Sequence, residues 1–169
     1  RAPWFHGINM PKRQKLFLKK AAFGKFPIIL PGKNKRSLIN TRDLAIASIN
    51  LITRPSKKII YWVCEEKSIS MNKYIMIIQK SAINHNYIKK RVYKFRSKFF
   101  LPPLTSSICC LLDRLLQKFG IYSQIIHVIG ELGMNIEADS QVYRKEFSDH
   151  IFTPIQESID LEIKEAFVI

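Results

Sequence analysis

The sequence has few cysteines, few acidic residues in its first half and no long apolar run. Its three cysteines, Cys64, Cys109 and Cys110, are odd in number and two of them are adjacent, which is a poor basis for disulfide bonds. We expect all three to be small buried side chains in a reducing or redox-neutral compartment. No apolar run approaches the ~20 residues that cross a bilayer, so the sequence predicts no membrane span.

Motifs of catalysis and metal binding are also scarce. The sequence contains no GxSxG, P-loop or GxGxxG motif and no cysteine pair at metal-ligand spacing. His127 lies in an apolar stretch and is interpreted as a hydrogen-bonded core or edge residue rather than a ligand. One polar segment carries four carboxylates for which a solvated or protein-facing surface is favoured over acid–base catalysis: Glu137, Asp139, Glu146 and Asp149. We therefore predict no enzyme, no cofactor and no metal site.

Positive charge is plentiful and unevenly distributed. Residues 1–99 hold 23 Lys and Arg against 3 Asp and Glu, whereas residues 100–169 hold 5 against 10. With 169 residues and 47% apolar side chains, the chain can bury the core of one folded domain. We expect its first half to contact an anionic partner, either nucleic acid or an anionic membrane surface.

The pattern of prolines and apolar residues predicts an α+β fold behind a basic arm. Residues 1–40 contain four prolines, so we expect an extended basic arm with one short helix over "RQKLFLKKAAF". Residues 41–169 are predicted to form a single α+β domain. Its helices are expected near residues 42–52, 56–65, 70–86 and 105–119, the last being an inserted helix within about 100–120.

Each predicted helix has an expected buried face. In the third helix Ser70 is a plausible N-cap, and the apolar positions follow a 3.6-residue period. The expected inward residues are Leu44, Ala45, Ser48, Ile49 and Ile52 in the first helix, Ile59, Ile60 and Val63 in the second, Met71, Tyr74, Ile75, Ile78 and Ala82 in the third, and Ile108, Leu111, Leu112 and Leu115 in the fourth.

The C-terminal part shows a different period. "SQIIHVIG" is typical of a buried strand, and "SIDLEIKEA" alternates apolar and polar residues like a strand with one wet face. We expect strands near residues 124–130 and 158–165 to pair antiparallel across a long hairpin or excursion.

Three basic clusters carry the functional interpretation. Phosphates attract cations, and the aromatic residues among the cations could stack on unpaired bases. The predicted RNA-binding residues are Lys12, Arg13, Lys15, Lys19, Lys20, Lys33, Lys35, Arg36, Lys57, Lys58, Lys89, Lys90, Arg91, Lys94, Arg96, Lys98, Tyr87 and Tyr93, with Phe17 as a further aromatic face.

The stretch from Leu51 to Asn86 resembles the helical core of the large-subunit ribosomal protein family numbered twenty-two in the bacterial naming. Leu51-Ile52 and Ser81-Ala82-Ile83 stand at the family's usual separation, and "NTRDLA" takes the place of its Ser-Pro-Arg-Lys helix start. "IIHVIGELG" and "SIDLEIKEA" resemble the strands of the family's long hairpin. The resemblance implies a three-helix platform packed on a small antiparallel sheet, bound to rRNA and located near the polypeptide exit tunnel.

The hairpin segment departs from that family. Residues 134–157 hold two basic and five acidic residues and no glycine, whereas the family's hairpin tip is rich in Arg and Gly. Like charges would repel this segment from phosphates, so we expect it to face neighbouring ribosomal proteins or solvent. In particular, Glu146 and Asp149 are expected to pair with cations.

These features predict a structural constituent of the large subunit of an organellar ribosome. A composition rich in Ile, Lys and Asn, together with a start at Arg1 rather than Met, favours a mitochondrial location and a transit peptide removed upstream. A plastid-type organelle or the cytoplasm is the alternative location. Two other functions stay open: a lineage-specific non-catalytic subunit of another mitochondrial assembly, and a basic peripheral membrane protein.

Overall fold

The computed structural model describes residues 4–29, 31–89 and 100–168. Within them it has an α+β fold, which confirms the predicted class, and the helices carry most of the packing. The helices are α1 Lys12–Ala22, α2 Thr41–Thr53, α3 Met71–Asn84, α4 Pro103–Lys118, α5 Gln124–Leu132, α6 Gln141–Glu146 and α7 Ile155–Phe167. The strands are β1 Trp4–His6, β2 Ile28–Ile29, β3 Lys35–Arg36, β4 Leu38–Asn40, β5 Ile69–Ser70 and β6 Phe100–Leu101.

The strands are short and form three separate pairs. β1 pairs in parallel with β4, so that His6 stands opposite Asn40. β2 pairs in parallel with β6, and β3 pairs antiparallel with β5, with Arg36 opposite Ile69. Arg36 also forms a parallel bridge to Ile136. β3 thus ties the N-terminal half to the segment after α5.

The larger core lies between α1, α3 and α7. α3 was predicted correctly, because Ser70 accepts a hydrogen bond from the backbone N of Lys73 and all five expected inward residues are buried. Gln79, which is not among the expected inward residues, is also buried and donates to the carbonyl of Ala21. The core includes Leu18, Ala21, Met71, Tyr74, Ile75, Ile78, Ala82, Ile159, Ile163 and Ala166.

A smaller core joins α2 to the acidic segment. Its buried residues are Ile39, Ala47, Tyr61, Val63, Tyr143 and Phe147. The backbone N and hydroxyl of Thr153 both donate to the Asp43 carboxylate, and Asn50 donates to the hydroxyl of Tyr143. These buried polar contacts turn α2 so that Ile49 and Ile52 are exposed, and the predicted inward face of α2 is therefore wrong.

The two predicted C-terminal strands are helices instead. In the strand interpretation Ile159, Leu161 and Ile163 would share one face, but in α7 only Ile159 and Ile163 are buried and Leu161 is exposed. α5 covers the other predicted strand, because a short apolar run has no periodicity that separates a strand from a helix. The predicted antiparallel hairpin between these segments is therefore absent from the described residues, and α6 lies between them.

The predicted second helix, residues 56–65, is also wrong. The segment is extended, with Tyr61 and Val63 buried and Trp62 between them exposed. The backbone N of Glu65 donates to the carbonyl of Leu38, 2.8 Å away, which holds the segment beside β4. Ile59 and Ile60, expected inward, are exposed because they precede this alternating stretch.

The N-terminal segment is part of the fold rather than an extended arm. α1 forms where the short helix was predicted, and its Leu18 and Ala21 are fully buried against α3 and α7. β1 adds a parallel pair with β4. Burial of this apolar face stabilises the segment against the body, despite the basic residues on its outer side.

Candidate ligand pocket and basic surface

The predicted cations that lie in the described residues are mostly exposed. Five of them lie on α1, three on β3 or just before it, two in the loop after α2, and one, Lys89, after α3. The exposed ones are Lys12, Arg13, Lys20, Lys33, Lys35, Lys57, Lys58 and Lys89. Lys90, Arg91, Tyr93, Lys94, Arg96 and Lys98 fall outside the described residues. The visible cations are therefore spread over α1, the β3 region and two loops.

Several predicted RNA contacts are already engaged within the protein. Tyr87 stacks on Phe167, with ring centroids 4.8 Å apart and planes 13° from parallel. Phe17 packs against Trp4 and Phe26. These contacts cover part of each ring, and base stacking by the remaining surface stays a prediction.

Two cations of α1 face α7. The Nζ of Lys15 lies 2.9 Å from Oε1 of Glu165, and the pair lowers the pKa of the Glu165 carboxyl. Lys19 lies with its Nζ 5.8 Å from the ring centroid of Phe167. These two side chains thus contribute to the packing of α1 on α7.

The acidic segment contacts the body of the same chain, and its contact with neighbouring proteins stays a prediction. Arg54 donates two hydrogen bonds to Asp149, at 2.8 and 2.7 Å, and the pair lowers the pKa of the Asp149 carboxyl. Glu146 differs from the prediction, because it accepts from the backbone N of Lys57 and the hydroxyl of Tyr61 rather than from a cationic side chain. The pairing predicted for Asp149 is confirmed.

Arg36 differs from the other predicted cations because it is buried, with 6% of its surface exposed. Its backbone is fixed on both sides, by β5 and by the bridge to Ile136. One terminal nitrogen donates to the backbone carbonyl of Glu131, and the guanidinium carbon lies 5.5 Å from the Trp4 ring centroid. Burial lowers the pKa of the guanidinium, an effect that the nearby Glu131 carboxylate partly offsets.

The Nε atom of Arg36 has no hydrogen-bond partner among the described residues, although it is buried. A buried donor without a partner is costly, so native proteins rarely leave one unpaired. A guanidinium in this position can donate to an anionic oxygen, for which its charge and planar geometry are well suited. The Nε of Arg36 is therefore an unused donor within the described part of the chain.

A cavity of about 430 Å³ opens beside Arg36 and has the size of a small-molecule pocket. It lies between β1 and α1 on one side and α5 on the other. Its walls are apolar and aromatic, with two arginines, two glutamines and one glutamate as the polar groups that could orient a ligand. The lining residues include Trp4, Arg13, Gln14, Phe17, Phe26, Arg36, Gln124, Val128 and Glu131.

The sequence contained a signal for this pocket that charge counting hides. Arg36 directly precedes Ser37, Leu38 and Ile39, a run in which every residue is buried. A charged residue entering such a run is expected to be buried with a specific role. Because Arg36 follows the basic stretch "GKNK", it resembles one more member of an exposed basic cluster.

A second buried polar group lies around His6. Its Nδ1 is 2.9 Å from Oε1 of Glu162 and its Nε2 is 2.8 Å from Oε1 of Glu65. Burial lowers the pKa of His6, but the two carboxylates outweigh it and raise the pKa to about 9. His6 is therefore an imidazolium that ties β1 to α7, and it has a structural rather than a ligand-binding arrangement.

His127 lies on α5 rather than on a strand. Its Nδ1 is 2.9 Å from Oδ2 of Asp113 on α4, and this contact raises the pKa of the imidazole. The prediction of a hydrogen-bonded histidine is confirmed. Among residues 4–29, 31–89 and 100–168, no His, Cys, Asp and Glu side chains gather into a group of three that could hold a metal ion, and no helix there could cross a bilayer.

Comparison with known proteins gives one curated relative. No family model matches the sequence. The uncharacterized protein y4nL of Sinorhizobium fredii (strain NBRC 101917 / NGR234) is 36% identical over 146 residues, which are 86% of this chain and 40% of that protein. The chain thus spans less than half the length of the curated relative it matches.

Two solved structures share the fold. The crystal structure of gox2253 aligns with 98% of this chain and 47% of its own, at a TM-score of 0.62 and 14% identity. UDP-glucose 4-epimerase from the hyperthermophilic eubacterium Thermotoga maritima, crystallised with UDP-glucose, aligns with 98% of this chain and 44% of its own. The TM-score there is 0.58 and the identity 11%, so the likeness is one of fold.

Proposed function

We propose that this chain is a ligand-binding unit of a larger protein and that its pocket accepts a nucleoside diphosphate sugar, the ligand class to which UDP-glucose belongs. The observation that carries the proposal is the buried Arg36 guanidinium, which belongs to a residue lining an aromatic pocket and whose Nε has no partner among the described residues. A diphosphate supplies the anionic oxygens that this group lacks. The proposal assigns binding to this chain and no catalytic step.

The rest of the pocket supports the same ligand class. Trp4 and Phe17 offer apolar surface of the kind that packs against a base or a sugar ring. Arg13, exposed at the rim, adds a second cation that can approach a phosphate. Glu131 would repel phosphate but could accept a hydrogen bond from a sugar hydroxyl, so we expect the phosphates on the Arg36 side.

The fold likeness supports the proposal from another direction. The epimerase was crystallised with UDP-glucose, and almost all of this chain matches part of that protein. The shared fold makes a related ligand a reasonable first choice for a binding experiment. At 11% identity the likeness of fold does not assign the ligand, so the experiment decides.

The test measures binding of UDP-glucose, UDP and free glucose to the chain by calorimetry. We expect UDP-glucose and UDP to bind and glucose not to bind. Arg36→Met should weaken UDP binding by about tenfold or more, since a charge-assisted hydrogen bond contributes about 1.5–3 kcal/mol. Lys35→Met is the matched control, because Lys35 is the exposed neighbour of Arg36 on β3 and does not line the pocket.

Arg36→Lys separates charge from geometry. It keeps the positive charge but loses the fork of donors, so we expect UDP affinity between those of the parent and Arg36→Met. Absence of UDP and UDP-glucose binding by the parent chain, or equal affinity in Arg36→Met, would contradict the proposal.

The exposed cations favour a second function, binding to rRNA. The eight exposed cations named above could contact phosphates, and an organellar ribosomal protein with protein neighbours at its acidic segment stays a prediction. Its test is the salt dependence of RNA binding, described in the Discussion.

A further inference from the structure

α4 and α5 pack on each other as a helical hairpin, and α5 also lines the pocket. The base of the hairpin is fixed where Asn34 donates to the carbonyl of Leu132, 2.7 Å away, and where Ser106 donates to the carbonyl of Gly130. The 16 residues of α4 extend for about 24 Å from that base. The turn between the helices is therefore remote from the base.

The turn presents large apolar side chains to solvent. Phe119 is 79% exposed, Tyr122 is 64% exposed, and Ile121 between them is also exposed. Gly120 makes the turn with φ +71°, and a Cβ there would meet no atom within 4 Å. The tip, residues 119–122, is thus an apolar and aromatic knob with open space around it.

One face of α4 continues this apolar surface. Leu104, Ile108, Leu111 and Leu115 recur at intervals of four, three and four residues and are all exposed. The sequence predicted most of these residues to be inward, because such a stripe normally packs on a partner. Within the described residues, α4 instead packs on α5 through Cys110 and Gly130, on the other side of the helix.

Away from its base, the hairpin carries exposed charges that are positive. Arg114 and Lys118 are exposed, whereas Asp113 is buried and bonded to His127. The remaining carboxylate, Glu131, lies at the base beside the pocket. The outer face and tip therefore combine apolar surface with two cations and no exposed carboxylate.

We propose that the tip and outer face of this hairpin dock on an anionic lipid surface, with Phe119 and Ile121 inserted below the headgroups. Tyr122 has the apolar ring and polar hydroxyl that suit the membrane interface, and Lys118 can extend its ammonium to a headgroup while its stem stays apolar. A convex knob flanked by cations matches a soft anionic surface better than a protein partner, which would need a matching cavity. This membrane-docking proposal does not depend on the ligand proposed for the pocket.

The test is co-sedimentation of the 169-residue chain with vesicles. One set is phosphatidylcholine alone and the other is two parts phosphatidylcholine to one part phosphatidylglycerol. We expect binding to the anionic vesicles, at least about tenfold stronger than to the neutral ones. Arg114→Gln with Lys118→Gln should reduce that preference.

The tip variant is Phe119→Ser with Ile121→Ser. We expect it to weaken vesicle binding by about tenfold or more, since each buried apolar side chain adds about that factor. The matched control is Ile52→Ser with Ile59→Ser, which removes apolar residues at least as exposed from α2 and the loop after it. All four positions are exposed, so both variants should unfold at the parent's temperature.

Three outcomes would overturn the proposal. One is no binding to either vesicle, and another is equal loss of binding in the tip and control variants. The third is a dimer in solution that the tip variant dissociates while vesicle binding is absent, which would make a second copy of the chain the occupant of this face.

Discussion

His6 and Glu162 are 156 positions apart in the sequence, and their side chains form a buried hydrogen bond of 2.9 Å. Glu65 accepts from the other imidazole nitrogen, so one cation lies between two carboxylates. Ser158 adds its hydroxyl to the same group, 3.0 Å from Nδ1 of His6. This group joins the first described strand to the last helix.

The contacts of His6 with Glu162 and Glu65 predict that the stability of the protein depends on pH. The pKa of His6 rises from 6.5 to about 9 on folding, so its stabilisation is complete below pH 6.5 and is lost as the pH rises through about 9. The difference corresponds to about 3 kcal/mol. Tyr74, the nearby tyrosine, has a pKa raised well above 10 and does not titrate in that window. Urea unfolding from pH 6 to pH 9.5 measures the loss.

Variants at His6 identify the source of that dependence. His6→Gln should abolish the loss of stability between pH 6.5 and 9, and should cost about 3–5 kcal/mol because Glu162 is left buried without its cation. If His6→Gln fails to fold, His6→Leu with Glu162→Leu removes both buried groups and should recover a folded protein. An unchanged alkaline limb in either variant would contradict the assignment.

Gly7 and Thr41 make a second testable contact. Gly7 has φ +142°, and a Cβ there would lie 2.3 Å from Oγ1 of Thr41. Gly7→Ala should therefore lower the free energy of unfolding by about 2–3 kcal/mol. Gly120→Ala is the control, since its φ is also positive but its surroundings are open. It should cost about 1 kcal/mol, and equal costs would remove the steric explanation.

Ile75→Asp tests the larger core. Ile75 is buried in α3 against α1 and α7, so an aspartate there places an unpaired ion in apolar surroundings. We expect a loss of about 3–5 kcal/mol in the free energy of unfolding, measured in urea. Ile59→Asp, at a fully exposed position, should change it by less than about 0.5 kcal/mol. Similar values for the two would show that the core is assigned wrongly.

The salt dependence of RNA binding tests the ribosomal prediction. Changing Lys89, Lys90 and Arg91 to Ser should weaken binding to large-subunit rRNA and reduce the log–log salt slope by about two to three, since each lost phosphate contact removes about 0.7–0.9. The control removes three exposed lysines outside the predicted clusters: Lys118, Lys145 and Lys164. If both variants keep the parent's slope, or the parent does not bind, the RNA contact lies elsewhere or is absent.

The helices with strong periodicity could be predicted from the sequence, but the elements that pack against their apolar faces could not. α3 combines a cap at Ser70 with apolar residues at helical spacing, and both local signals agree with its burial. α4 has an equally clear stripe, yet Leu111 and Leu115 are exposed. Periodicity identifies which residues share a face, whereas burial depends on what the rest of the chain places against that face.

The errors in the C-terminal part have a related cause. Glu162 is buried in α7 because His6 neutralises it, a contact that no local pattern could indicate. With Glu162 assigned to the wet side, alternation around Ile159 and Ile163 favoured a strand. The pocket was missed because Arg36 stands beside surface lysines in the sequence, and because the β5 pair and the bridge to Ile136 that bury it are distant in sequence.

The contact between β1 and α7 also determines when the chain can fold during synthesis. α1 and α3 leave the ribosome early, but their shared core is closed by Ile159 and Ile163, which emerge about eighty residues after α3. Until α7 has been synthesised, His6 lacks its partner Glu162, and the core around Leu18 lacks Ile159 and Ile163. Long-range closure of this kind slows folding, so nascent chains that end before α7 should remain sensitive to protease and bind chaperones.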